Sequence, residues 1–147
     1  MRRRNNRIVQ EQLRQIVGLG LCSNAPVEFG NGMIWINGRE LPVTGHCGVV
    51  FVTLADYAVL KPGKGVSAKE ILSLLNARRA DFESWKWSLP ASTTAINNAA
   101  FDLRTALTNA GLDPKIIETK SHRFYRLSVP SVNIIDLGDS PPTIVAN

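Results

Sequence analysis

Cysteine is scarce: Cys22 and Cys47 are the two thiols in 147 residues. Two cysteines cannot build the cross-linked framework of a small secreted domain, so reduced thiols in a cytoplasmic protein are expected. Histidine is as rare, with His46 and His122 only. None of these four residues has zinc-ligand spacing of the Cys-x-x-Cys kind, and the adjacent His46 and Cys47 would point in different directions on a helix. No metal or cofactor is expected. A Cys–His nucleophile pair lacks any surrounding signature, and Lys61-Pro62-Gly63-Lys64-Gly65 is too short for a phosphate loop and follows no strand. No enzyme activity is expected. Long apolar runs are also missing. The longest, residues 47–60, contains Asp56 and falls short of the roughly 20 residues that a membrane span requires. The basic start Met1-Arg2-Arg3-Arg4 runs into Asn, Gln and Glu rather than an apolar core, unlike a signal peptide. A cytoplasmic protein with no membrane contact is the expectation.

Basic residues are absent from positions 129–147, where Asp136 and Asp139 are the charged groups. The opposite end is strongly basic: Arg2, Arg3, Arg4, Arg7 and Arg14 face a lone Glu11 in residues 1–14. With a net charge of +5, this asymmetry points to a polyanion met on one side. Hydrophobic residues at 44% and charged residues at 20% are ordinary for a globular chain. The length suits one domain with a real core.

Residues 5–19 space Ile8, Val9, Leu13, Ile16 and Val17 on one stripe of a short helix, which Gly18 and Gly20 weaken. This basic N-terminal helix or arm is taken as residues 1–26. Residues 33–43 read as two short extended runs around Asn37-Gly38, a hairpin signal. Thr44 is a plausible N-cap. After it Cys47, Val50, Phe51, Leu54 and Ala58 recur at helical spacing, although Val49-Val50-Phe51-Val52 would favour a strand by propensity. Pro62-Gly63 ends that helix. Ser67 and Glu70 form a capping box, with Val66 and Ile71 at the staple positions. The helix it starts runs to about residue 77 or 79. Residues 80–91 are irregular and carry Trp85 and Trp87. Ser92 or Thr93 caps a third helix with a regular stripe of Ile96, Ala99, Ala100, Leu103, Leu107 and Ala110, and Gly111 suits its end. Two β-like runs, residues 115–119 and 123–129, flank Lys120-Ser121-His122 and read as a hairpin. Residues 130–147 read as a loose tail.

Three stretches resemble the DNA-binding effector domain of the OmpR/PhoB response-regulator family. They are Ile36-Asn37-Gly38-Arg39-Glu40-Leu41-Pro42-Val43-Thr44, then Pro62-Gly63 followed by Val66-Ser67-Ala68-Lys69-Glu70-Ile71-Leu72, and Leu103-Arg104-Thr105-Ala106-Leu107 followed by Pro114–Ile116, Ile117-Glu118-Thr119 and Tyr125-Arg126-Leu127. The resemblance covers about residues 33–128. It implies an α+β winged helix-turn-helix over residues 27–129, with an N-terminal β-hairpin, three core helices and a C-terminal hairpin as the wing. It departs from the family at the wing, where His122, Arg123 and Phe124 stand in place of glycines. Only about 30 residues precede it, so a phosphoacceptor receiver domain is not expected.

What the resemblance implies for function is sequence-specific binding of double-stranded DNA by a transcription regulator. The helix at 92–110 would lie in the major groove. Its exposed face would carry Thr94, Asn97, Phe101, Thr105 and Thr108, flanked by Asn98 and Arg104. Asn can read adenine, Arg guanine, and an apolar group the thymine methyl. Ser92, Thr93 and Thr94 at the helix start could bind phosphate. The wing would offer Lys120, His122, Arg123 and Arg126 to the backbone or minor groove, and Arg2, Arg3, Arg4 and Arg7 could form a minor-groove arm. A homodimer would add specificity through paired half-sites. The alternative reading is a protein-interaction module in which Phe101, Trp85 and Trp87 form an aromatic patch for RNA polymerase or another regulator.

Overall fold

A computed structural model describes residues 24–120 and 123–138. Residues 1–23 of the expected N-terminal helix or arm, with Arg2, Arg3, Arg4, Arg7 and Cys22, lie outside the described residues, as do Ser121, His122 and residues 139–147.

The described chain begins with three strands, β1 (Val27–Gly30), β2 (Met33–Ile36) and β3 (Arg39–Glu40). Asn31-Gly32 and Asn37-Gly38 join them, with φ of 52°, 75°, 55° and 77°. Two successive positive φ values make a type I′ turn, whose twist matches that of the strands it connects. Asn and Gly adopt them at least cost. The second turn is the expected hairpin, and the first forms by the same signature. Val27, Phe29, Ile34 and Ile36 are fully buried on the core face, while Met33 is exposed.

Helix α1 (Gly45–Leu60) is buried without a break from Gly48 to Ala55. Strand propensity in Val49-Val50-Phe51-Val52 yields here because every side of the helix meets protein, and a helix that is apolar all round has its place in a core. Each fully buried Val or Phe contributes about 1.5–3 kcal/mol. Gly48 is a notch: a Cβ there would stand 2.7–2.8 Å from three ring atoms of Trp87.

A two-residue strand, β4 (Val66–Ser67), precedes α2 (Ala68–Leu74). The Glu70 N–H donates to Ser67 Oγ at 3.1 Å, the expected N-cap. The path tightens into a 3₁₀ turn (Leu75–Arg78) and resumes as α3 (Arg79–Ser84), so the first five residues of the expected irregular stretch at 80–91 are helical. Lys86 at φ 60° ends it. The Trp87 N–H donates to Phe82 O at 2.9 Å and the Lys86 N–H to Glu83 O at 3.0 Å, while the rings of Phe82 and Trp87 stack 6.1 Å apart. These are the two bonds and the apolar contact of a Schellman stop. A lysine at the left-handed position, where glycine is usual, concealed it.

Helix α4 (Thr93–Asn109) starts as expected, with the Ala95 N–H donating to Ser92 Oγ at 3.1 Å. It ends as expected at Gly111, φ 76°. A 3₁₀ turn (Pro114–Ile116) leads to β5 (Ile117–Lys120), which pairs antiparallel with β6 (Phe124–Leu127). The expected hairpin gains a third strand: β4 pairs with β6, in the order β4-β6-β5.

The end of the described chain corrects an expectation. Residues 131–138, taken as part of a loose tail, form a 3₁₀ turn (Ser131–Asn133) and β7 (Ile134–Asp136). β7 lies parallel to β1, with Val27 opposite Ile134 and Phe29 opposite Asp136, and closes a sheet ordered β3-β2-β1-β7. An arginine clamps it. Arg78 donates to Asp56 at 2.5 and 3.0 Å, to Asp136 at 2.6 Å and to Asp81 at 3.2 Å, with its guanidinium carbon 5.1 Å from the Phe29 ring centre. The described residues are thus α+β, with helices and two small sheets sharing one hydrophobic core.

Two outcomes follow. Gly48→Ala should lower the unfolding free energy by about 1–3 kcal/mol, because the buried Trp87 ring has nowhere to retreat; an unchanged urea midpoint would contradict the notch. The second concerns acid. Burial alone would raise the Asp136 carboxyl, but the Arg78 hydrogen bond, the Gly138 N–H and the Arg78 charge outweigh it and hold Asp136 below its ordinary 3.8. A depressed folded-state pKa gives stability that is present above the unfolded value and lost as pH falls through the folded one. Thermal midpoints measured from about pH 5 to about pH 2 should therefore fall more for the wild type than for Asp136→Asn. Parallel curves would count against the clamp.

Candidate nucleic-acid interface

Helix α4 is fixed by one stripe and presents another. Ile96, Ala99, Ala100, Leu103 and Leu107 are buried, and the helix packs on α1 and α2. Thr94, Asn97, Asn98, Phe101, Thr105 and Thr108 are exposed. At the centre of that face Phe101 is 68% exposed.

The face is joined rigidly to the β5–β6 hairpin. The Tyr125 hydroxyl donates to Asn97 Oδ1 at 2.5 Å. Arg104 donates from Nε to Ile117 O at 3.0 Å and from Nη2 to Thr119 Oγ1, and its guanidinium carbon lies 6.0 Å from the Tyr125 ring centre. Asn97 and Arg104 are thus tied between helix and hairpin. Thr105 and Thr108 turn their hydroxyls onto their own helix, donating to Phe101 O at 3.4 Å and Arg104 O at 3.0 Å. Ser92 is occupied as the cap, while Thr93 and Thr94 are exposed in the first turn. Asn98 and Phe101 point outward with no such engagement recorded among the described residues.

Arg126 does not belong with the exposed wing residues. It is 4% exposed and donates to Glu118 at 2.7 Å, its partner directly across the strands. A guanidinium removed from water needs such a partner. The remaining wing residues divide three ways. Arg123 is exposed at the hairpin turn, Lys120 ends β5, and His122 lies outside the described residues. One basic group was overlooked. Pairing of Ser67 with Phe124 brings the first turn of α2, and the exposed Lys69, beside the Arg123 end of the hairpin. The capping box that starts α2 was the signal: it exposes the first turn, where Lys69 stands.

The expected aromatic patch is not formed. Trp87 is 5% exposed, and Trp85 sits edge-on to both Phe82 and Trp87, at 5.9 and 5.0 Å between ring centres. Phe101 stands apart from that cluster, exposed on α4 with Phe124, 40% exposed, as the other outward ring of this region.

The Cys47 thiol donates to Ala99 O at 3.7 Å, and burial followed by the negative charge of Asp102 pushes its pKa up. That environment opposes formation of a thiolate. Among the described residues no three His, Cys, Asp or Glu side chains are placed to hold a metal ion, and no helix is long and apolar enough to cross a membrane. No family model, no curated protein and no solved structure matches this chain.

Removing Glu118 should reveal what Arg126 does. Glu118→Ala leaves a buried guanidinium without its partner and should cost about 3 kcal/mol of folding stability, read by chemical denaturation. A loss below about 1 kcal/mol, the range of an exposed ion pair, would return Arg126 to the surface.

Proposed function

We propose that residues 27–129 form a winged helix-turn-helix that binds double-stranded DNA as a transcription regulator. Helix α4 lies in the major groove and the β5–β6 hairpin serves as the wing. The observation that carries this reading is the exposed face of α4, with Asn98 and Phe101 outward and the helix braced to the hairpin through Asn97, Tyr125 and Arg104. A major groove about 12 Å wide admits a helix, and amide and apolar groups can address adenine edges and thymine methyls there. Exposed hydroxyls at Thr93 and Thr94, with the free N–H groups of the first turn, suit a phosphate. Lys69, Lys120 and Arg123 supply charge for the backbone around the hairpin end. Arg104 and Asn97 act mainly as braces in this reading, and Arg126 is part of the frame. The order of elements supports the assignment as well: strands, three helical segments of which the middle one bends, and a closing hairpin.

The test begins with duplex DNA selected from a random pool by the full chain. Binding should weaken as salt rises, with a slope set by the phosphates neutralised. Asn98→Ala and Phe101→Ala should each lower affinity for the selected site by about 1–3 kcal/mol and relax base preference, whereas Lys69→Ala should weaken all duplexes alike. An absence of binding at low salt would sink the reading. Binding that survives both α4 substitutions unchanged would place the contact elsewhere.

A further inference from the structure

A groove of about 590 Å³ lies between the C-terminal half of α1, the turn at 75–78 and β7. Tyr57, Leu60, Leu74, Ala77 and Ile134 give it a mainly apolar lining. Exposed large hydrophobics gather around it. Val59 at 50% and Leu60 at 74% line it, and Val132 at 77% and Ile135 at 36% belong to the turn and strand that carry Ile134. Its polar groups are Asp56, Asp81 and Asp136 around a single Arg78, so carboxylates exceed guanidinium there by two. Such a mainly apolar surface suits the apolar face of an amphipathic segment.

We propose that the groove is covered by residues 8–17 of the same chain, which dock as a short helix. The segment carries the matching apolar pattern: Ile8, Val9, Leu13, Ile16 and Val17 share one helical stripe, with Arg7, Glu11 and Arg14 on the opposite face, turned to solvent when the stripe docks. A helix this short is unstable alone in water and needs an apolar surface. The chain also leaves the described region at the right place. The Asn133 side-chain amide donates to the carbonyl of Asn24, which fixes the chain beside the turn that leads into Ile134. The seven residues from Val17 to Asn24 can span at most about 25 Å. Tethering raises the effective concentration of this segment to about the millimolar range, whereas a second copy must also offset lost translational and rotational freedom. The other end of the chain is the poorer match, because Pro141 and Pro142 interrupt any helix within residues 139–147.

Hydrogen–deuterium exchange on the full chain tests this directly. With Leu13→Asp and Ile16→Asp together, amides of residues 56–60 and 75–78 should exchange roughly threefold or more faster than in the wild type, with both proteins monomeric by light scattering. Equal exchange would overturn the proposal. Wild-type protection that vanishes on dilution of a dimer would overturn it too, in favour of a second copy. The groove side gives an independent arm. Leu60 is already 74% exposed, so Leu60→Asp spares the core. It should make thermolysin cut within residues 8–17 roughly threefold faster, and an unchanged rate would equally refute the docking.

Discussion

Burial of the middle of α1, residues 48–55, on all sides is the constraint from which the rest of the architecture follows. A sixteen-residue helix with an unbroken buried middle, in which Thr53 satisfies its hydroxyl on Val49 O, cannot stop at one packed face. It must be enclosed, and α2, α4, β6 and the turn before β7 all touch it. Enclosure at interior packing density leaves no slack for side-chain volume. That is why Gly48 and Trp87 depend on one another: the indole fills the space that the missing side chain leaves. It also explains why the chain spends six residues on α3 and its Schellman stop, since those turns bring Trp87 back against the helix.

With α1 enclosed, α4 and the hairpin are set by what they share. Asn97, Tyr125 and Arg104 link them through hydrogen bonds and a cation–ring contact. Exposed bonds of this kind are individually modest, on the order of 1 kcal/mol. Their effect is geometric. They hold a helix face and a hairpin tip in one orientation, which lowers the entropy lost when both meet a rigid partner. Arg126 and Glu118 extend the same frame beneath the hairpin.

The legible features were those governed by local rules. Asn37-Gly38 required a tight turn, Ser67 and Glu70 marked a helix start, the stripe from Ile96 to Leu107 defined the α4 core face, and Gly111 ended it. What escaped depended on partners distant in sequence. β4 and β7 are two and three residues long and exist because β6 and β1 supply their hydrogen bonds. Lys86 ends a helix in a conformation that glycine usually signals. Asn31-Gly32 was legible by the same rule as its neighbour and was passed over. A basic hairpin reads as uniformly exposed, which hides Arg126; with Lys120 opposite Phe124, Glu118 falls opposite Arg126, and that register is the clue. For α4, burial separates the stripes, but no local rule tells a braced Asn97 from an outward Asn98.

These placements redistribute the meaning of the basic composition. The net charge of +5 suggests a broad positive surface. Yet Arg78, Arg104 and Arg126 are each engaged inside the molecule, and Arg39 donates to Ala110 O at 2.7 Å. Among the described residues, the charge left near α4 and the hairpin tip is sparse, with Lys69 and Arg123 as the exposed examples. Phosphate contacts scale with the number of available cations and carry little sequence information. In the proposed DNA contact, a described surface poor in free cations draws more of its discrimination from neutral groups. On α4 those are an amide at Asn98 and the ring of Phe101, and an exposed aromatic at that position is best understood as surface kept for contact rather than for the core.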